Sequence, residues 1–195
     1  MSLPLAEAKA ALRRELRVWL RARRPEERAH ASAAARDRLR ARPEWRLARG
    51  VLLYVPRPDE LDLWPLAAEA LARGVQLALP RFDAARGVYQ AALVRDLARD
   101  LRPGRYGLLE PGPDCPAVPL NRLDLLLVPG LCFDREGRRL GRGGGHFDRL
   151  LTGPHGTACG VAWDHQVRER LPAGPEDQTV DCILTPTRWL AVARR

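Results

Sequence analysis

The sequence predicts an α/β protein, a three-layer α/β/α domain with a mostly parallel central sheet and N-terminal helices. Three observations carry that expectation. Short aliphatic runs recur along the chain, at 51–55, 75–79, 123–128, 158–163 and 180–184. Segments with helical spacing precede the first run and separate it from the second. A strand, a helix and a strand within about thirty residues form a βαβ unit, which places its two strands parallel. A chain of 195 residues is long enough for one such domain and short for two, so 1–195 is expected to be a single unit with 1–49 packed on it as a helical segment.

Residues 5–24 carry apolar positions at Leu5, Ala8, Leu12, Leu16, Trp19 and Leu20, the spacing of one helix face. Pro25 breaks that helix and opens a second, which runs to about residue 41, where Pro43 ends it or starts a third. The run VLLYV at 51–55 fits a buried strand, and 56–62 is a loop. Helical spacing over 63–73 closes at Gly74, and 75–79 is the next buried strand. Residues 88–93 read as a further strand, and Pro103-Gly104 and the stretch 110–119, both turn-rich, as irregular surface. The most apolar run, 123–128, leads into a glycine-rich loop over 129–145 and then a helix through Leu151. Two more strands are expected at 158–163 and 180–184.

Apolar residues make up 46% and aromatic residues 6%, so the core is expected to be aliphatic. No apolar run approaches the ~18 residues of a membrane span, and the N-terminus lacks the pattern of a secretion signal. A cytoplasmic location without a membrane partner is therefore expected. The four cysteines, at 115, 132, 159 and 182, form no C-x-x-C pair and read as buried thiols. The net charge of +9 is concentrated, because residues 1–50 hold 14 basic against 6 acidic side chains. A nucleic acid, an anionic small molecule or a solvated helix face would each account for it, and the solvated face is the simplest. Basic residues are 32 arginines and one lysine, Lys9, which stands out against that background. The five tryptophans read as core or helix contacts, and His30, His155 and His165 as isolated surface groups.

The segment from 128 to 149, VPGLCFDREGRRLGRGGGHFDR, carries the chemistry. Gly141, Gly143, Gly144 and Gly145 leave backbone N–H groups uncovered, and such groups cradle phosphate oxygens beside a helix N-terminus. Arg139 and Arg142 add positive charge, and Asp148 could hold a metal ion. The loop is neither a Walker A sequence nor a dinucleotide-binding turn. From the residues alone it is an anion site or a plain flexible loop. Asp134 and Arg149 read as a structural ion pair across it, Asp181 reads as structural, and Arg81 has an anion as a candidate partner.

The order of these residues resembles the signature of the 5-formyltetrahydrofolate cyclo-ligase family. The match covers Pro129, Gly130, Phe133, Asp134, Arg139, Leu140, Gly141, Gly143, Gly145, Asp148 and Arg149. It continues at Lys9-Ala10-Ala11-Leu12-Arg13, at Tyr54 and Glu60, at Leu79-Pro80-Arg81, at Tyr106-Gly107 with Glu110-Pro111, and at Leu171-Pro172, Asp177, Val180-Asp181 and Thr185. His146-Phe147 stands where the family has Tyr-Tyr, Leu63 where it often has Thr, and Glu176 where it usually has His.

The resemblance implies an enzyme that uses Mg²⁺ and ATP to convert 5-formyltetrahydrofolate, possibly polyglutamylated, into 5,10-methenyltetrahydrofolate. ADP and phosphate are released, and the formyl oxygen is phosphorylated on the way, giving an imidate phosphate. It implies ATP contacts at Lys9, Arg13, Arg139, Leu140, Gly141, Arg142, Gly143, Gly144, Gly145, His146 and Phe147. It implies folate contacts at Val55, Glu60, Arg142, Gly143, Gly144, Gly145 and His146, and metal contacts at Asp148 and Asp177. A monomer without nucleic acid is expected. A sugar-phosphate or coenzyme A enzyme would also explain an anion loop, but would not need Lys9 and the late Asp177.

Overall fold

In the computed structural model, which describes residues 4–174 and 177–193, the chain opens with α1 (Leu5–Arg21), α2 (Pro25–Arg40) and α3 (Pro43–Arg46). Pro25 and Pro43 begin their helices at a position where no N–H is needed. α1 ends at Arg21, short of the expected 24, because Arg24 precedes a proline and is held extended at ψ 153°. Leu16 and Leu20 bury one stripe of α1, and Ala31, Ala35 and Leu39 one stripe of α2.

Next come β1 (Gly50–Leu52), α4 (Pro65–Ala72), β2 (Gln76–Asp83) and β3 (Val88–Val94). β1 and β2 pair in parallel and form the expected βαβ unit. β3 folds back antiparallel on β2, from Leu77 opposite Val94 to Asp83 opposite Val88. A small antiparallel pair, β4 (Leu101–Pro103) with β5 (Leu109–Pro111), reaches into both stretches expected to be irregular, at Pro103 and at 110–111. These short strands escape a pattern search because neither is long enough to show alternation.

β6 (Leu125–Pro129) is followed by β7 (Cys132–Asp134) and β8 (Arg139–Leu140), so the glycine-rich loop is pinned by a short ladder. α5 (His146–Leu150), β9 (Thr157–Val161), β10 (Val167–Arg168), β11 (Cys182–Leu184) and β12 (Trp189–Ala191) complete the chain. Glu176 lies outside the described residues. The main sheet has seven strands in the order β12-β11-β9-β6-β1-β2-β3. The five central strands are parallel, and each edge strand is antiparallel to its neighbour.

Alternate residues of the central strands serve different faces. Leu125 and Leu127 join the cluster with Leu16, Leu39, Trp45 and Leu66, which is the face covered by α1 to α4. Leu126 and Val128 join Phe133, Leu150 and Leu151 on the other face, beneath α5. All four cysteines are buried free thiols. Trp45 and Trp163 are buried, and His165 stacks on Trp19 with ring centroids 4.4 Å apart rather than standing alone. Among the described residues no helix is long and apolar enough to cross a membrane.

Candidate active site

A cavity of about 860 Å³ opens beyond the carboxyl ends of β1 and β6, with residues of β2, β3 and β8, α1 and the glycine-rich loop in its wall. Parallel strands end here together, and backbone groups and loops converge on such an edge. Of the residues expected in the site, all but Lys9 line this cavity. Lys9 stands one step behind it, with its ammonium 2.5 Å from Asp177 Oδ2.

The glycine-rich loop is held against the first helix. Arg13 donates through Nε to Gly141 O at 2.9 Å, and Arg17 donates to Arg142 O at 3.0 Å. Arg21, one turn further, also lines the cavity. The three arginines are four residues apart and share one face of α1. Arg13 and Arg17 are partly buried against the loop while Arg21 stays exposed at the rim, so the basic N-terminal segment is only partly the solvated surface expected of it. Gly143 (φ 112°) and Gly145 (φ 62°) hold backbone conformations that side chains disfavour. Among the described residues the N–H groups of Arg142, Gly143, Gly144 and Gly145 have no acceptor, although the carbonyls of Gly141, Arg142, Gly144 and Gly145 all accept.

Arg139 is buried, with 6% of its surface exposed. It donates to Asp148 Oδ1 at 2.6 Å and to Pro129 O at 3.3 Å, while its Nε is buried without a partner. A buried donor without an acceptor is costly, and at the wall of a cavity it marks a place for an anionic ligand.

The opposite wall is acidic. Arg142 donates through Nε to Glu60 Oε1 at 3.1 Å and through a terminal nitrogen to Asp59 Oδ1 at 2.6 Å. Glu60 also accepts the Arg57 N–H through Oε2 at 3.0 Å. Burial raises the Glu60 carboxyl above its usual range, and the Arg142 charge opposes that rise without cancelling it.

A third wall is aromatic. His146 lies edge-on to Tyr89, with centroids 5.1 Å apart, and its Nε2 is 3.0 Å from the Tyr106 hydroxyl. Arg149 approaches His146 Nδ1 at 3.1 Å. A guanidinium only donates, so Nδ1 accepts and the ring proton sits on Nε2, pointing at Tyr106. Burial lowers the His146 pKa, and Arg149 and Arg105 lower it further, which favours the neutral ring. Tyr106 adopts φ 58°, a left-handed conformation rare outside glycine, within the turn between β4 and β5. Glu110 fixes that turn by accepting from Arg105 N, Phe82 N and the Tyr89 hydroxyl.

Burial raises the Asp177 carboxyl, but the bonds from Lys9 and Gly174 N outweigh it, and the net shift is downward. Asp148 and Asp177 both border the cavity. Among the described residues no group of three or more acidic, histidine or cysteine side chains gathers as a metal cage. Mg²⁺ carried on nucleotide phosphates needs only one or two carboxylates from protein, so this donor set fits such an ion.

Several sequence expectations need correction. Asp134 is fully buried and pairs with Arg138, not Arg149, and it also accepts from Glu136 N, Arg138 N and Leu171 N. Arg149 instead holds Gly144 O and His146. Arg81 faces no anion, because its guanidinium caps the carbonyls of Gly112, Pro113 and Cys115. Asp164, which follows β9, stands outside the cavity and is taken by Thr185, Thr187 and Arg188. Arg17, Arg21, Asp59 and Tyr89 also line the cavity but were not singled out. The four-residue spacing from Arg13 would have found the first two. Nothing local in the sequence brings Tyr89 to the site.

Comparisons with known proteins concern the chain as a whole. The model of the 5-formyltetrahydrofolate cyclo-ligase family matches residues 5–186. The chain is 35% identical over 151 residues to a 5-formyltetrahydrofolate cyclo-ligase of Mycolicibacterium smegmatis, covering 75% of this chain and 78% of that protein. It is 31% identical over 181 residues to one of Escherichia coli, covering 89% and 97%. The solution structure of Aquifex aeolicus 5,10-methenyltetrahydrofolate synthetase superposes with a TM-score of 0.86 at 33% identity, covering 96% of this chain and 94% of that one.

Proposed function

The chain belongs to the 5-formyltetrahydrofolate cyclo-ligase family, and from that premise we propose that it closes the 5,10-methenyl bridge of 5-formyltetrahydrofolate at the expense of Mg-ATP. The observation that carries this reading is the unpartnered, buried Nε of Arg139 beside a run of unbonded loop amides and the guanidinium of Arg13. That set of donors suits a triphosphate, and Glu60 across the cavity suits the N–H edge of a pterin.

The formyl group on N5 is an amide, and its oxygen is a poor leaving group. The γ-phosphoryl group passes to that oxygen, breaking its bond to the bridging oxygen of ADP and forming an imidate phosphate. N10 then attacks the formyl carbon, loses its proton, and expels phosphate to leave the methenyl bridge. Arg13, Arg139 and the amides of 140–145 hold the phosphates and spread the charge that develops on them. Lys9 orients Asp177 and adds charge beside it. Glu60, with Val55, Gly143, Gly144, Gly145 and His146 around the ring, sets the folate so that the reacting atoms meet. Asp148 and Asp177 would hold Mg²⁺, which neutralises phosphate charge when bound. We take the protein to work as a cytoplasmic monomer on 5-formyltetrahydrofolate, polyglutamylated or not. A nucleic-acid role is not favoured, because Arg13 and Arg17 are taken by the carbonyls of the glycine-rich loop.

One assay tests the reading. Protein, Mg-ATP and 5-formyltetrahydrofolate should produce methenyl absorbance with one ADP per turnover. Absorbance without ADP, or no absorbance at any concentration of either substrate, would defeat it.

A further inference from the structure

The carboxylate suited to the pterin is already engaged. Of its two oxygens, Oε2 accepts from the Arg57 backbone and Oε1 from Arg142. The ring of a reduced folate carries an exocyclic amino group next to a ring N–H. That edge is a cyclic guanidine, with the same parallel donors that a guanidinium presents to a carboxylate. Arg142 therefore holds the acceptor that the ring would use, and the two cannot share Oε1 in full.

Resting on the functional reading above, we propose that Asp59 is a positioning residue that keeps Arg142 when the pterin edge takes Glu60. Three observations support the exchange. Asp59 Oδ1 holds the shorter of the two contacts to Arg142, 2.6 Å against 3.1 Å, and its carboxylate has no other partner among the described residues. Arg142 is half-buried, so a guanidinium released from Glu60 needs an acceptor close by. Its backbone is pinned through its own carbonyl to Arg17 at 3.0 Å, so the exchange requires a shift of the side chain and not of the loop. The same pairing leaves a positive charge beside Glu60 after the swap. That charge favours the ionised carboxylate, which burial alone disfavours. No bond is made or broken in the step, since one pair of N–H donors replaces another.

Without Asp59, Arg142 would have Glu60 alone and would compete fully with substrate. Asp59→Asn should raise the KM for 5-formyltetrahydrofolate about tenfold. Its calorimetric Kd for the folate without nucleotide should rise by the same factor. kcat and the KM for ATP should stay within about twofold, and Asp59→Glu should recover most of the folate affinity. A folate Kd unchanged in Asp59→Asn overturns the proposal. So does a fall in kcat, or a rise in both KM values together, in a variant whose thermal midpoint matches the wild type. Wild-type protein that binds folate but makes no methenyl product would defeat the functional reading instead, while the comparison of affinities still decides the exchange.

Discussion

The Lys9 ammonium meets the Asp177 carboxylate at 2.5 Å, joining the first helix to a loop 168 residues further along the chain. The contact explains why a chain with 32 arginines keeps one lysine here. A compact ammonium fits a single carboxylate oxygen, where a planar fork would demand more room.

Lys9→Ala frees Asp177 and removes one positive charge from behind the wall proposed to hold the phosphates. The KM for ATP should rise about fivefold or more, with a smaller change in the KM for the folate. Steady-state kinetics with each substrate varied in turn checks this, and an equal rise in both would move Lys9 away from the phosphates.

Asp148 neutralises the buried guanidinium of Arg139 at 2.6 Å, in addition to the metal role proposed for it. Asp148→Ala should abolish turnover at every Mg²⁺ concentration. It should also cost about 3 kcal/mol of stability, since a buried charge loses its partner. A melting curve and a Mg²⁺ titration separate the two effects. Full activity at saturating Mg²⁺ would take Asp148 out of the metal shell.

His146 makes the protein acid-sensitive. Its folded pKa lies below the usual 6.5, because of burial and then Arg149 and Arg105. The unfolded chain therefore takes up the proton first as pH falls. The stability tied to the neutral ring is complete above 6.5 and is lost as pH drops from there through the lower folded value. Thermal midpoints measured across this window should fall with acidity in the wild type. They should fall less in His146→Tyr, which restores the aromatic residue of the family signature. Parallel curves for the two proteins would show that His146 does not carry the effect.

Arg81 is a structural clamp, with one terminal nitrogen 2.8 Å from Gly112 O and 2.6 Å from Cys115 O. Arg81→Ala should lower stability by about 1–3 kcal/mol and leave both KM values close to wild type. A selective rise in either KM would return Arg81 to the ligand site.

The sequence by itself determined the helices, the buried parallel strands and the family signature, because each is written in neighbouring residues. The period of Leu12, Leu16 and Leu20, the aliphatic run before Pro129 and the spacing of glycines from 141 to 145 need no knowledge of the rest of the chain. Only the tertiary structure decided which charges meet. A guanidinium pairs with whatever carboxylate the fold brings within reach, and with so many arginines the choice carries no local mark. Thus Arg142 went to Asp59 and Glu60, and Arg81 to three carbonyls, each across more than thirty residues of chain, whereas Asp134 took Arg138 four residues on, within the β7–β8 turn.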